Sequence, residues 1–112
     1  MAIMDEMLAA IVSTVKDRSM EAGFTRSRGG IARGIAWAEI AGRGTDGVWY
    51  ELRLHRRPQD GLLQAGMLAY APLSQGGRTI VVGESSHKDD DVGATLMAND
   101  VLDWIEQTAP RM

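Results

Sequence analysis

Two histidines are the side chains in this sequence best suited to proton transfer. His55 follows Glu51 and Arg53 in an alternating stretch, residues 48–56. A general base needs an orienting carboxylate within hydrogen-bonding reach, whereas Glu51 lies two strand repeats away from His55. The sequence shows no pocket around it. We therefore expect His55 to be an exposed strand histidine.

The second histidine, His87, precedes Asp89, Asp90 and Asp91, a set that could suggest a divalent metal site. The spacing matches neither a calcium-binding loop nor any zinc ligand set. Helix capping and solvation account for adjacent aspartates at this position. The sequence predicts no metal site and no cofactor.

An arginine- and glycine-rich stretch, residues 26–34, resembles a phosphate cradle in composition. Known glycine-rich cradles run from a strand into a helix, so that the helix N-terminus meets the phosphate. Here the order is helix to strand, which favours a flexible connection. Binding of a small ligand or phosphate by residues 26–33 together with His55, conceivably in an enzyme, remains an alternative hypothesis.

The charge distribution is uneven along a chain whose formal net charge is −3. Residues 26–57 carry seven arginines and three acidic residues, whereas residues 84–106 carry seven acidic residues and one lysine. The arginine cluster raises a third hypothesis, association with nucleic acid. An acidic chain without a helix-turn-helix, zinc-finger or aromatic RNA-binding pattern disfavours it.

Length and composition indicate one domain, residues 1–112, without disulfides. A chain of 112 residues can bury one core but not two independent ones, and it contains no cysteine. No stretch approaches the ~18 consecutive apolar residues of a membrane span. The first residues are acidic, unlike a signal peptide. We expect a cytoplasmic protein with no membrane partner.

Hydrophobic periodicity predicts a helix at each end of the sequence. Apolar residues recur at steps of three and four over residues 4–22, and Gly23 follows as a natural stop. Asp91 can cap a second helix over residues 91–109, which Pro110 ends.

Four strands are expected between the helices. They cover residues 31–41, 48–56, 62–71 and 78–84, with polar connections at 25–30 and 85–90. Short links between consecutive strands require antiparallel pairing. The fold class is therefore α+β, in the order α-β-β-β-β-α. We expect a two-layer sandwich, in which both helices cover one face of a four-stranded antiparallel meander.

The clearest strand, residues 48–56, alternates strictly between apolar and polar positions. One face is apolar and the other carries charge: Val48, Tyr50, Leu52 and Leu54 against Trp49, Glu51, Arg53 and His55. This pattern is typical of a half-buried antiparallel strand. We expect the apolar set under the helices, and Glu51 and Arg53 facing away.

Strands 62–71 and 78–84 are apolar on both faces, although two helices can cover only one. Val81 opposes Ile80 and Val82, and a tryptophan beside arginine is typical of interface hot spots. Long loops or sheet curl could cover the second face; otherwise a partner or second subunit does so.

The leading functional hypothesis is a non-enzymatic protein-interaction module that self-associates as a homodimer. It could act as a small adaptor, chaperone or inhibitor, including one encoded by a phage. The expected partner-binding residues lie on the outer strand face, in the fourth predicted strand and on the acidic last helix: Trp49, Arg53, His55, Val81, Asp100 and Asp103.

Overall fold

The computed structural model describes residues 5–112, which form an α+β fold with two helices and one five-stranded antiparallel sheet. The strands follow one another in space in chain order. Their bounds are β1 Arg26–Ala32, β2 Ile35–Arg43, β3 Trp49–Arg57, β4 Leu62–Tyr70 and β5 Thr79–Lys88. Helices α1 (Glu6–Ala22) and α2 (Asp91–Thr108) pack against each other and on the same face of the sheet.

The sheet has five strands because the first predicted strand, residues 31–41, is interrupted by a turn. Arg33 and Gly34 have φ angles of 52° and 77°, and two consecutive left-handed residues close a tight hairpin whose twist matches its strands. The expected loop, residues 25–30, is therefore mostly β1. The sequence indicates this hairpin only weakly, because Arg-Gly is not a preferred hairpin dipeptide. It indicates β1 only weakly, because paired glycines disfavour a strand.

The alternation in β3 places its side chains as the sequence predicts. Tyr50, Leu52 and Leu54 are fully buried under the helices. Glu51 and Arg53 alternate with these residues along the strand, so they point away from the helices, as do their cross-strand neighbours. Val48, expected to join the buried set, precedes the strand and packs only partly buried against the core.

The helix ends follow from local capping chemistry. Asp5 caps α1 by accepting a hydrogen bond from the Leu8 amide, and Gly23 ends it in a left-handed conformation, φ 113°. Asp90 caps α2 through the Gly93 amide, so the expected cap, Asp91, is instead the first helical residue. The expected start of the first helix, residue 4, lies outside the described residues.

A β-bulge in β5 decides which of its side chains face α2. Met67 pairs with Gly83 and Leu68 pairs with Val81, so Val82 is an extra residue that shifts the alternation. The expected strand 78–84 and loop 85–90 are thus one strand that continues to Lys88. β5 is an edge strand, and the side chains of its second half are polar. The sequence of that half therefore lacks the apolar residues that mark a buried strand.

Candidate functional site

The face of the sheet opposite the helices, here called the outer face, is a broad surface available for binding. Both helices pack on the other face, and no further layer covers the outer face within residues 5–112. Its centre holds apolar and aromatic side chains that are half-buried or exposed: Trp37, Trp49, Leu68, Tyr70 and Val81. The charged side chains around them are Arg26, Arg28, Glu39, Arg43, Glu51, Arg53, Arg57, Glu84 and Lys88.

Each tryptophan on the outer face is covered by an arginine. The Arg28 guanidinium lies 5.7 Å from the centre of the Trp37 ring, and that of Arg43 lies 5.5 Å from Trp49. Trp49 also donates its indole N–H to Glu51 Oε1, at 2.8 Å. Cation–π contact holds both rings in place, and the hydrogen bond adds to this at Trp49, so little side-chain freedom remains to be lost on binding.

Glu51 joins the centre of the outer face into one polar network. Arg53 donates through Nη2 to Glu51 Oε2 at 2.7 Å and to the Tyr70 hydroxyl at 3.1 Å. Partial burial acts to raise the pKa of Glu51, but the hydrogen bonds from Trp49 and Arg53 together outweigh it and lower that pKa. The carboxylate therefore stays ionised and keeps both neighbours oriented.

A second ion pair fixes the β1 side of the outer face. Arg28 Nε donates to Glu39 Oε1 at 3.1 Å, and its Nη2 donates to the other carboxylate oxygen. Glu39 is only 7% exposed, so this charge is buried on an otherwise open face. Loss of Arg28 would leave it without its counter-ion.

The outer face contains an open depression above Gly66, with a volume of about 590 Å³. Gly66 has no side chain to fill the position between Arg53 on β3 and Glu84 on β5. The surrounding side chains are those of Arg53, His55, Gln64, Leu68, Glu84 and Ser86. Burial, followed by the positive charges of Arg53 and Arg57, lowers the pKa of His55, so its imidazole is neutral near pH 7.

The structure brings together four of the six expected partner-binding residues. Trp49, Arg53, His55 and Val81 share the outer face, and Val81 is 51% exposed. Asp100 and Asp103 lie on α2, in the other layer. The expected residues therefore form two separate surfaces, because the acidic helix and the tryptophan-bearing strand are on opposite sides of the molecule.

Asp100 belongs to a polar cluster that the sequence did not reveal. Its Oδ2 accepts hydrogen bonds from Ser85 Oγ and from His87 Nε2, the latter at 2.6 Å. Burial acts to raise the pKa of Asp100, but the hydrogen bonds from His87 and Ser85 lower it overall. The cluster was missed because residues 85–90 were expected to form a loop, whereas the bulge turns Ser85 and His87 towards α2.

The Ser85, His87 and Asp100 side chains are not arranged as a catalytic relay. In a relay the carboxylate binds one imidazole nitrogen and the serine binds the other. Here Nε2 contacts both Ser85 Oγ, at 2.9 Å, and Asp100 Oδ2. The cluster links the edge strand β5 to α2.

The arginine-rich stretch does not form a phosphate cradle. Arg26 and Arg28 lie on the regular strand β1, and Arg33 occupies the hairpin turn. Arg28 is also already bonded to Glu39. The backbone amides of a strand do not converge on one point as those of an anion-binding loop do. The flexible connection expected for this stretch is instead a regular strand.

The acidic run beside His87 has structural roles. Asp90 caps α2, and Asp89 lies 3.5 Å from the Arg56 guanidinium. Over the described part of the chain, no cluster of three or more histidine or acidic side chains could hold a metal ion. Neither α1 nor α2 is long and apolar enough to cross a membrane.

This chain matches no protein-family model, no curated protein and no solved structure.

Proposed function

We propose that this protein is a non-enzymatic protein-interaction module that binds through its outer face, and that it self-associates there as a homodimer. The observation that carries the proposal is an uncovered sheet face bearing two tryptophans, each held under an arginine. A cytoplasmic adaptor, chaperone or inhibitor would bind its partner through such an uncovered face. The absence of cysteine is compatible with a reducing compartment.

The composition of the outer face suits a protein partner. Trp37, Trp49 and Tyr70 combine large contact area with few rotatable bonds, and such residues carry most of the binding energy at interfaces. Arg53 and Glu51 lie between them and are already bonded to each other. Because these two side chains bond to each other, burying them against a partner does not leave them without a hydrogen-bond partner. A major cost of association is thereby removed.

The size of the outer face is sufficient for a modest dimer. Five strands spaced ~4.8 Å apart, each ~25 Å long, give a face of roughly 600 Å². Two such faces in contact would bury about 1,200 Å² in total, the lower end of the range for specific, stable interfaces. A homodimer that exchanges with monomer at micromolar concentration fits this area.

Nucleic acid is the less suitable partner for the same surface. Three of its cations already have carboxylate partners, in the pairs Arg28–Glu39, Arg53–Glu51 and Arg57–Asp60. Phosphate binding depends on cations that are free to replace counter-ions. The guanidinium groups over Trp37 and Trp49 also occupy ring faces on which bases would stack.

Sedimentation velocity over a concentration series from about 1 to about 100 μM tests the proposal directly. We expect the weight-average mass to rise from monomer towards dimer. A clean monomer at ~100 μM would contradict self-association. A fluorescent single-stranded oligonucleotide is titrated in parallel, and tight binding that weakens steeply with salt would support the nucleic-acid hypothesis instead.

A further inference from the structure

The edge strand β1 lies outside the layer formed by the two helices. α1 packs on β2 and β3, and α2 packs on β4 and β5. Ile31 faces the helix side of the sheet, beside the buried Ala36 of β2, yet it is 55% exposed. The register of β1 with β2 is regular along the whole strand, whereas β5, the other edge strand, is bulged. β1 is therefore the edge on which a further strand can pair along its full length.

The hairpin turn determines which backbone groups of β1 are available for pairing. Because the turn between β1 and β2 holds two residues, Ala32 and Ile35 bond to each other. Every second residue along β1 bonds to β2 in the same way. The residues between them, Ser27, Gly29 and Ile31, direct their N–H and C=O groups away from the sheet. No turn or loop hydrogen bond among residues 5–112 occupies these groups.

A groove on the helix side of the sheet lies next to these backbone groups. It runs between α1 and β1, has a volume of about 260 Å³ and is here called the edge groove. Its lining includes Val12, Lys16, Met20, Phe24, Ser27 and Ile40. Val12, Phe24 and Ile40 are buried, whereas Met20 is 58% exposed. The edge groove therefore offers an apolar floor to one large apolar side chain.

The charges around β1 are positive. The strand and its turn contain three arginines and no acidic residue. Arg28 is bonded to Glu39, but no ion pair within residues 5–112 includes Lys16, Arg26 or Arg33. Lys16 lies at the edge groove, Arg26 on the outer side of β1 and Arg33 in the turn. These cations favour an acidic ligand along the strand.

We propose that β1 binds an extended acidic peptide segment of another protein, in which apolar and acidic residues alternate and which pairs as a sixth strand. Strand addition of this kind takes its affinity from main-chain hydrogen bonds and its specificity from pockets for alternate side chains. The site lies at the sheet edge, so the inference goes beyond the proposed function and does not depend on association through the outer face.

The facing of β1 determines where each side chain of the peptide lies. Directly opposed residues of paired strands have their side chains on the same face. Peptide residues opposite Ser27, Gly29 and Ile31 therefore point to the helix side, and the one opposite Ser27 enters the edge groove. The residues between them point to the outer side, where Arg26 meets an acidic side chain. An alternating peptide satisfies both sides at once.

A second copy of this chain is the less suitable occupant of the β1 edge. Pairing of two β1 strands would bring the arginines of one copy close to those of the other, and like charges at an interface are unfavourable. β1 also offers no acidic side chain to the cations of its counterpart.

Fluorescence polarisation with synthetic peptides tests the proposed chemistry. The probe is a labelled peptide as long as β1 in which glutamate alternates with valine and leucine. One control peptide has the same residues without alternation, and another has lysine in place of each glutamate. We expect the alternating acidic peptide to bind with a Kd of about 10–100 μM, and each control at least ~10-fold more weakly. No binding of the acidic peptide at ~1 mM, or equal binding of all three, would overturn the proposal.

Three single variants test the residues of the site. Arg26→Glu should weaken the acidic peptide ~10-fold and strengthen the lysine peptide. Ser27→Pro removes an outward N–H while leaving the bonds to β2 intact, and should weaken the acidic peptide at least ~10-fold. The matched control, Lys88→Glu, reverses a charge on the opposite edge strand and should stay within ~2-fold of wild type. Thermal unfolding checks that each variant is folded. An acidic peptide that binds all three variants as it binds wild type would contradict the site.

Hydrogen exchange on the wild-type chain tests the pairing without any variant. Saturating acidic peptide should slow exchange of the Ser27, Gly29 and Ile31 amides, whereas those of Arg28 and Gly30 are already bonded to β2 and should change little. Binding that leaves the β1 amides unprotected would overturn the proposal. Protection that grows with protein concentration in the absence of peptide would also overturn it, because it would identify a second copy as the occupant. Sedimentation measures association through the outer face separately, so either proposal can fail alone.

Discussion

At Gly83, one added methyl group should destabilise this fold by colliding with a side chain of the core. A Cβ at Gly83 would lie 2.1 Å from Trp104 Nε1 and 2.3 Å from Cε2 of the same ring. Both distances are far below contact distance, and Trp104 is 7% exposed within the core. The ring cannot withdraw without displacing its neighbours, because interiors are close-packed. Gly83→Ala must therefore shift either the indole or β5.

The expected cost follows from two opposing terms. Overpacking of a core costs roughly 1–3 kcal/mol, and the severity of this clash favours the upper half of that range. Replacing glycine by alanine restricts the unfolded chain and returns about 0.4–1 kcal/mol. We expect a net loss of about 2 kcal/mol, which for a domain of this length lowers the melting temperature by roughly 8 °C.

Gly66→Ala is the matched control for this experiment, because it adds the same methyl group to the adjacent strand, but on the outer face. Its Cβ would meet the Gly83 carbonyl oxygen at 3.5 Å, an ordinary contact. Chemical denaturation and thermal melting should show Gly66→Ala within about 0.5 kcal/mol of wild type. A Gly83→Ala chain as stable as wild type would refute the packing of Trp104 on β5.

Three further predictions follow from the surface and the polar groups. Val81→Lys should shift the protein towards monomer in sedimentation velocity, because it buries an ammonium group in the proposed interface, whereas Asp103→Lys should not. Asp100→Asn should destabilise the fold near pH 7. The lowered pKa of Asp100 contributes stability that is present above the pKa of the unfolded state and lost as pH falls through that of the folded state. The loss of unfolding free energy caused by Asp100→Asn, measured by urea denaturation, should therefore shrink below about pH 4. A loss that does not change with pH would contradict the hydrogen-bonding account. Dialysis against EDTA should leave the melting temperature unchanged; a drop restored by one divalent ion would contradict the metal-free interpretation.

The parts of the fold that the sequence predicted are those with strong local signals. The strict alternation around Leu52 identified β3 and its two faces, and Gly23 marked the end of α1. The hairpin at Arg33 was not predicted, because its left-handed turn contains one residue that has no preference for such a conformation. Four strands were expected where the sheet has five, because this turn was missed and because the paired glycines of β1 disfavour a strand.

The candidate site was predictable only in part. Trp49, Arg53 and His55 are separated by even numbers of residues in sequence, so strand geometry alone puts them on one face. The contacts of Ser85 and His87 with Asp100 depend on the bulge at Val82, which reverses the facing of every later residue in β5. No local preference of the sequence indicates that reversal. The position of an arginine over each tryptophan also depends on the pairing of β1 with β2 and of β2 with β3.

The bulge at Val82 has a consequence for how this protein avoids uncontrolled assembly. An antiparallel sheet that is not closed into a barrel exposes a row of amide and carbonyl groups on each outermost strand, and such a row can recruit strands from other molecules without limit. The extra residue in β5 interrupts that row beside the exposed Ile80 and Val81. An incoming chain could pair on only one side of Val82 at a time. The β5 edge is thereby a poor template for fibre-like growth along the strands, whereas the register of β1, the other edge strand, carries no such interruption.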